Sequence, residues 1–170
     1  MKQLSLIIIL FGLFSCQTKI ENSNPLIFED EVNFKTLRQV TFGGDNAEAY
    51  WSFDDKQLVF QSNNNSWNVE CDQMFLMDAD QTFKNNDPKM ISTGLGRTTC
   101  SYFLPDNEHI LYASTHEDNE KCPEVPLRKE GKYVWPIYDS FDIYVSDLNG
   151  KITNKLTDQV GYDAEATVSP

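Results

Sequence analysis

The side chains of this sequence that could do chemistry are its four cysteines and the adjacent pair His116 and Glu117. Thiolates and imidazoles are the usual ligands of zinc, and a histidine beside a carboxylate is typical of general acid–base catalysis. The cysteines nevertheless show no Cys-x-x-Cys spacing, and no second histidine lies at helical spacing from His116. The sequence also contains no Gly-x-Ser-x-Gly nucleophile motif and no phosphate-binding glycine loop. We therefore predict no catalytic residue, no metal site and no cofactor within these residues.

The first 15 residues have the pattern of an export signal. Lys2 supplies a positive charge, and residues 4–14 form an apolar run that only Ser5 and Gly12 interrupt. This run has the length of a signal-peptide core and is too short to span a bilayer as a helix. We predict that residues 1–15 are removed on export.

The sequence LFSC at residues 13–16 resembles the lipobox of bacterial lipoproteins. This resemblance implies that Cys16 becomes the lipidated first residue of the mature chain, held in the cell envelope by an anchor of several acyl chains. The outer membrane is the expected location, on its periplasmic side or at the cell surface. Residues 16–36, which are polar and lack periodicity, are predicted to form a flexible tether. The alternative is an ordinary signal peptide followed by a chance cysteine.

The chain is strongly acidic, with 14 Lys and Arg residues against 26 Asp and Glu residues and a net charge of −12. Nucleic-acid phosphates need a basic surface, so we exclude nucleic acid as a partner. An acidic surface also disfavours anionic lipid headgroups, which leaves the lipid anchor as the expected membrane contact.

The sequence contains an internal repeat. WSFDDKQLVFQS (51–62) and FLPDNEHILYAS (103–114) share an aromatic residue, an acidic turn, a three-residue apolar run and a serine. Downstream, CDQMFLMDAD (71–80) corresponds to SFDIYVSDLNG (140–150). Alternating apolar residues between acidic turns predict four short antiparallel strands in each repeat. GYDAEATVSP (161–170) aligns with the start of the first repeat, so we predict that it is the first strand of a third.

These repeats resemble the TolB-type β-propeller repeat. The resemblance implies an all-β fold over residues 37–170, with about two propeller blades of four antiparallel strands and the first strand of a third. SFDD and LPDN replace the usual SPDG turn, and the repeat spacings of 52 and 65 residues exceed the common ~40–45. Two blades cannot close a ring, so the resemblance also implies the N-terminal part of a longer propeller. The alternative is a complete β-sandwich of about eight strands.

Two insertions lengthen the repeats, at residues 63–70 and 117–139. Both follow the second strand of a repeat, so we expect them on one side of the molecule, where binding loops usually lie. Their aromatic residues are candidates for binding a sugar or peptide: Trp67, Tyr133, Trp135 and Tyr138. The alternative is that these rings pack each loop onto its own repeat.

With Cys16 lipidated, two of the three remaining cysteines can pair in an oxidising compartment. We predict a Cys100–Cys122 disulfide, because Cys122 lies in the insertion that leaves the same side of the repeat in which Cys100 begins a strand. Cys71 belongs to the preceding repeat. Cys71–Cys100, Cys71–Cys122 and no disulfide are the alternatives.

The TolB-type resemblance implies a non-catalytic, lipid-anchored propeller that binds or scaffolds another envelope protein. One alternative is the propeller portion of a prolyl-oligopeptidase-like peptidase whose catalytic domain lies beyond residue 170. Another is a glycan-binding propeller that uses the aromatic insertions. The expected ligand is accordingly an envelope protein, a peptide or a glycan.

Overall fold

The computed structural model describes residues 24–83, 86–125, 130–132 and 136–169. The chain divides into two compact units, Met1–Arg38 and Gln39–Pro170. In the first unit the described residues contain turns and neither helix nor strand. One of these turns is closed by Ile27 N, which donates to Asn24 O at 3.2 Å.

The regular secondary structure of the second unit is almost entirely β-strand, which confirms the predicted all-β class. Its one described helix is the 3₁₀ turn Asn65–Trp67. The strands within the described residues are β1 (Asp45–Trp51), β2 (Gln57–Asn63), β3 (Gln73–Asp78), β4 (Lys89–Met90), β5 (Thr98–Phe103), β6 (His109–Ser114), β7 (Ser140–Asp147), β8 (Ile152–Lys155) and β9 (Gly161–Tyr162).

The strands form two antiparallel sheets, each of which follows the chain without a crossover. The first sheet has the order β1-β2-β3-β4, and the second has the order β5-β6-β7-β8. The short β9 also joins the second sheet, where it pairs in parallel with the start of β7. The predicted unit of four antiparallel strands is therefore present twice.

The described residues of the predicted third repeat, 161–169, do not form the strand that the repeat predicted. Only Gly161–Tyr162 is a strand, and residues 163–169 have no regular secondary structure. A strand of that length needs a neighbour to take up its backbone hydrogen bonds. Here the neighbour is β7, and it pairs with β9 at only two positions, Ser140 and Phe141.

The two sheets bury an apolar layer between them. Alternate residues of each strand point to this layer, as Met74 and Leu76 do from β3 and Ile110 and Tyr112 do from β6. The buried residues of the layer are Val59, Met74, Leu76, Ile91, Phe103, Ile110, Tyr112 and Tyr144. Residues from both sequence repeats contribute, so the repeats stabilise each other by burying apolar surface.

A second apolar cluster covers the opposite face of the first sheet. Phe60, Phe75 and Met77 contribute the buried residues of the strands, and Phe83 contributes from the chain that follows β3. Trp67 packs against this cluster from the shorter insertion. The central strands β2 and β3 of the first sheet are therefore buried on both faces, whereas β1 and β4 are mostly exposed.

The first strand of each sheet contains a bulge at the same position of the repeat. The pairing of β1 with β2 shifts register between Ala47 and Tyr50, and that of β5 with β6 shifts between Thr99 and Tyr102. Within each shift one residue has a left-handed backbone, Glu48 with φ 49° and Cys100 with φ 51°. Such bulges bend a strand and increase its twist. The two first strands therefore bend at equivalent places.

Candidate functional site

The long loops of the two sheets gather at one end of the second unit. We call this the insertion end and define it as residues 64–72, 91–97 and 115–125. Thr98 N donates to Asp72 O at 2.9 Å, and Gly96 N donates to Glu120 O at 2.8 Å. The chain that links the two sheets thus contacts Glu120 in the longer insertion and Asp72 just after the shorter one. The described parts of both insertions lie on one side, as the sequence predicted.

A disulfide between Cys71 and Cys122 joins the two insertions, with a Cα–Cα distance of 6.0 Å. The predicted Cys100–Cys122 pairing is therefore wrong, and Cys100 is a free, half-buried thiol. Cys100 sits inside β5 at the bulge, where its backbone N–H donates to Gln61 Oε1 of the first sheet at 3.3 Å. Cys71 instead directly follows the shorter insertion. It therefore lies close to the longer insertion, at the place where that loop contacts the chain between the two sheets.

A buried polar network fixes the base of the insertion end. Gln73, which is 2% exposed, donates from Nε2 to Gly96 O at 2.8 Å. Its Oε1 accepts a hydrogen bond from Ser92 Oγ at 2.7 Å. Arg97 Nη1 and Asp72 Oδ2 form an ion pair nearby, with about four-fifths of each side chain buried. Both ends of the buried Gln73 amide are hydrogen-bonded, and buried groups that are satisfied in this way rigidify their surroundings. The buried Arg97 Nε has no partner among the described residues, so the Gln73 bonds are the ones that fix the base of the loops.

The described aromatic candidates pack against their own sheets. The Trp67 ring lies edge-on to Phe75 with centroids 5.2 Å apart and edge-on to Phe60 at 6.3 Å. The Tyr138 ring lies 6.0 Å from that of Phe141, and its hydroxyl donates to Glu124 O at 2.6 Å. These contacts favour the structural alternative, in which the rings hold the loops in place. Tyr133, Trp135 and Cys16 lie outside the described residues.

His116 and Glu117 hold the start of the longer insertion to the second sheet. The His116 ring lies 4.5 Å from the ring of Tyr144, and its Nδ1 is 3.0 Å from Ser114 Oγ. Burial lowers the pKa of His116 below its ordinary value. Lys155 Nζ lies 2.8 Å from a carboxylate oxygen of Glu117 and 2.8 Å from one of Asp142. This ion-pair group connects the insertion to β7 and β8.

We expect Lys155→Met to lower the free energy of unfolding by about 1 kcal/mol at neutral pH, a modest value because Glu117 is half exposed. The hydrogen bond from Lys155 lowers the pKa of Glu117. Because the pKa of Glu117 is lower in the folded state, its ion pair stabilises the fold above the ordinary glutamate pKa. This stabilisation is lost as the pH falls through the lowered pKa. The difference between variant and wild type should therefore shrink between neutral pH and an acid pH below the ordinary glutamate pKa.

Urea unfolding of both proteins at the two pH values measures this difference. Lys121→Met is the matched control, because Lys121 is exposed and its side chain makes no hydrogen bond or ion pair within the described residues. An effect of Lys155→Met that persists unchanged in acid would contradict the ion-pair explanation.

A polar cleft of about 690 Å³ opens beside the shorter insertion. Gly43, Gly44 and Asp45 line one side, and Asn63, Asn65 and Glu70 line the other. The sequence interpretation missed this cleft because its two sides are separated along the chain. The available signals were the glycine pair before β1 and the three successive asparagines, Asn63 to Asn65, at the end of β2.

No group of three or more His, Cys, Asp and Glu side chains in the described part of the chain could hold a metal ion. None of the helices in that part has the length and apolarity of a bilayer-spanning segment. Comparison of the chain with known protein families, with curated proteins and with solved structures finds no match.

Proposed function

We propose that the protein is a lipid-anchored module of the bacterial envelope, in which TolB-like propeller blades bind or scaffold another envelope protein without catalysis. One observation carries this proposal: two sheets of equivalent topology pack face to face and bend at equivalent residues. Four-stranded antiparallel meanders packed through their faces are the building units of a propeller.

The spacing of unusual backbone conformations supports the propeller repeat. Glu48, Cys100 and Glu165 all have a left-handed backbone, with φ between 49° and 57°. They are separated by 52 and 65 residues, the same intervals that separate the aligned Trp51, Phe103 and Val168 of the sequence repeat. Non-glycine residues adopt such a φ rarely, so the agreement of sequence and backbone spacing favours three equivalent first segments.

The insertion end supports a binding role. Its loops are connected by a disulfide and stand on a buried hydrogen-bonded base. A loop surface that is already fixed loses less conformational entropy when it binds a partner. Such a surface suits protein recognition, and Asn65, Lys121 and Val125 are exposed there.

Membrane attachment should depend on Cys16. We expect globomycin to leave an unprocessed precursor and Cys16→Ala to move nearly all of the protein from the membrane fraction to the soluble fraction, because the acyl chains are lost. Detergent partitioning and fractionation measure this change. Cys100→Ala is the matched control and should remain with the membrane; a Cys16→Ala protein that also remains there would exclude the lipid anchor.

Protein binding at the insertion end can be tested by photocrosslinking in intact cells. A photoreactive amino acid at position 65 or 121 should crosslink to the same envelope protein, identified by mass spectrometry. The same amino acid at position 55 or 106, in the turns at the opposite end of the strands, should not. Adducts that are absent at positions 65 and 121, or equally abundant at both ends, would contradict the proposed binding face.

A further inference from the structure

The cleft beside the shorter insertion has the dimensions and the fixed frame of a small-molecule site. Its volume of about 690 Å³ lies within the range of about 300–1,000 Å³ that is typical of such sites. Its two sides approach closely at Gly44, where a Cβ atom would lie 2.6 Å from Asn63 O and 2.7 Å from Asn64 Cβ. Gly44 has φ +64°, so this approach requires glycine both for space and for backbone conformation.

Asn64 holds the two sides of the cleft together. Its Nδ2 donates to Gly43 O at 3.3 Å, and its Oδ1 accepts from Ser66 N at 3.0 Å. The side chain is buried, with 3% exposed. Asn46 Nδ2 donates to the same carbonyl, Gly43 O, at 3.0 Å. The backbone around the cleft is therefore fixed before any ligand enters.

Among the described residues, four that line the cleft have polar side chains without an internal partner. Within the described residues, the side chains of Asn63 and Asn65 form no hydrogen bond, and those of Asp45 and Glu70 form no ion pair. An asparagine amide offers two donors and an acceptor, and a carboxylate offers two acceptor oxygens. No lysine or arginine lines the cleft among these residues. The cleft therefore offers donors and acceptors to hydroxyl groups and repels anions.

We propose that this cleft binds the hydroxyl groups of a neutral saccharide. Neighbouring hydroxyls of a sugar donate and accept hydrogen bonds at once, which matches the amides of Asn63 and Asn65 together with the carboxylate of Asp45. Trp67 acts only indirectly, because its ring packs beneath the loop against Phe75. The cleft shares Asn65 and Glu70 with the insertion end, and the saccharide adds a second ligand class to the proposed protein-binding role.

We test this proposal by titrating the full mature protein with saccharides. The ¹⁵N–¹H correlation spectrum reports the signals of its second unit. The probes are the neutral trisaccharides of N-acetylglucosamine, maltose-type glucose and cellulose-type glucose. At least one should shift the side-chain amide signals of Asn63 and Asn65 and the backbone signals of Gly43 and Gly44. A trisaccharide of galacturonic acid, which is anionic, should leave these signals in place.

Variants of the lining residues distinguish specific binding in the cleft from weak, non-specific binding to the protein surface. Asn65→Ala should weaken binding about fivefold, since it removes one neutral hydrogen-bonding side chain. Asp45→Ala should weaken it about tenfold, because a bond to a charged group is stronger. Asn154→Ala on β8, where the residue is exposed and lies outside the cleft, should bind as wild type does.

Several outcomes would overturn the proposal. No shift with any neutral trisaccharide at tens of millimolar excludes a saccharide site, and shifts that Asn65→Ala and Asp45→Ala leave unchanged exclude this cleft. Binding of the cationic glucosamine trisaccharide without binding of its neutral N-acetylated form would identify an amine site instead. Thermal unfolding of both variants should match that of wild type. This result would show that the loss of binding is not caused by unfolding.

Discussion

Replacing Cys122 with serine should lower the free energy of unfolding by about 4 kcal/mol, the largest single effect that we expect in this chain. The Cys71–Cys122 disulfide closes a loop with a sequence separation of 51 residues. In the chain-entropy description a crosslink removes conformations from the unfolded state, and longer loops give larger effects. The loop here includes the link between the two sheets, so its loss should also loosen the insertion end.

Urea unfolding of wild type and Cys122→Ser, each with its m-value, measures the effect. Dithiothreitol should destabilise wild type to the same level and leave the variant unchanged. Cys100→Ser is the matched control, because it removes the half-buried free thiol and keeps the crosslink. Non-reducing peptide mapping should find Cys71 linked to Cys122, and a peptide that links Cys100 to either residue would refute this pairing.

Substituting Gly96 with alanine should lower the free energy of unfolding by about 3 kcal/mol. Gly96 has φ +56°, and a Cβ atom there would lie 2.8 Å from both His116 N and Thr115 Oγ1. The left-handed backbone costs an alanine about 1–2 kcal/mol, and overpacking costs a similar amount. Gly96 O also accepts the hydrogen bond from Gln73 Nε2, so any movement of the backbone disturbs the base of the insertion end.

Substitutions at two further glycines separate the cost of backbone strain from the cost of overpacking. Gly94→Ala places a left-handed alanine, φ +77°, against the flexible Met90 Cε at 3.0 Å, and we expect a loss of about 1 kcal/mol from backbone strain alone. Gly161→Ala meets no atom within 4 Å and should change stability little. Thermal and urea unfolding of the three variants measure the series. Equal losses at positions 94 and 96 would show that the contacts with His116 and Thr115 contribute nothing.

Local patterns in the sequence were sufficient to predict the sheets. The apolar runs in MFLMD, at residues 74–78, and in the corresponding IYVSD, at residues 143–147, each end at an acidic residue that begins a turn, which is typical of a short buried strand. Acidic turns such as 54–55 and 106–107 mark where the chain reverses. The repeated segment 51–62 contains an acidic turn followed by an apolar run, and the observed strand Gln57–Asn63 begins just after that turn. These features are local, so neighbouring residues determine them.

Contacts between distant parts of the chain were not predictable in this way. The left-handed backbone of Glu48 and Cys100 has no residue-type signal, because neither is glycine or asparagine, and it follows from the register that each strand adopts with its partner. The irregular backbone of residues 163–169 was not predictable either, because their sequence matches that of a strand. They remain irregular because only two residues of β9 pair with β7.

The sequence by itself determined the composition, the acidic charge, the N-terminal pattern that resembles a lipoprotein signal, and the two sets of four strands. Only the tertiary structure decided which cysteines form the disulfide, because the lengths of the loops allow every pairing. The hydrogen bond between Gly96 and Glu120 places the longer insertion beside the end of the shorter one. It also decided that the Trp67 ring packs inward and that the glycine pair before β1 lies beside the asparagines at the end of β2. These arrangements depend on distances between residues far apart in sequence, which periodicity and residue type do not encode.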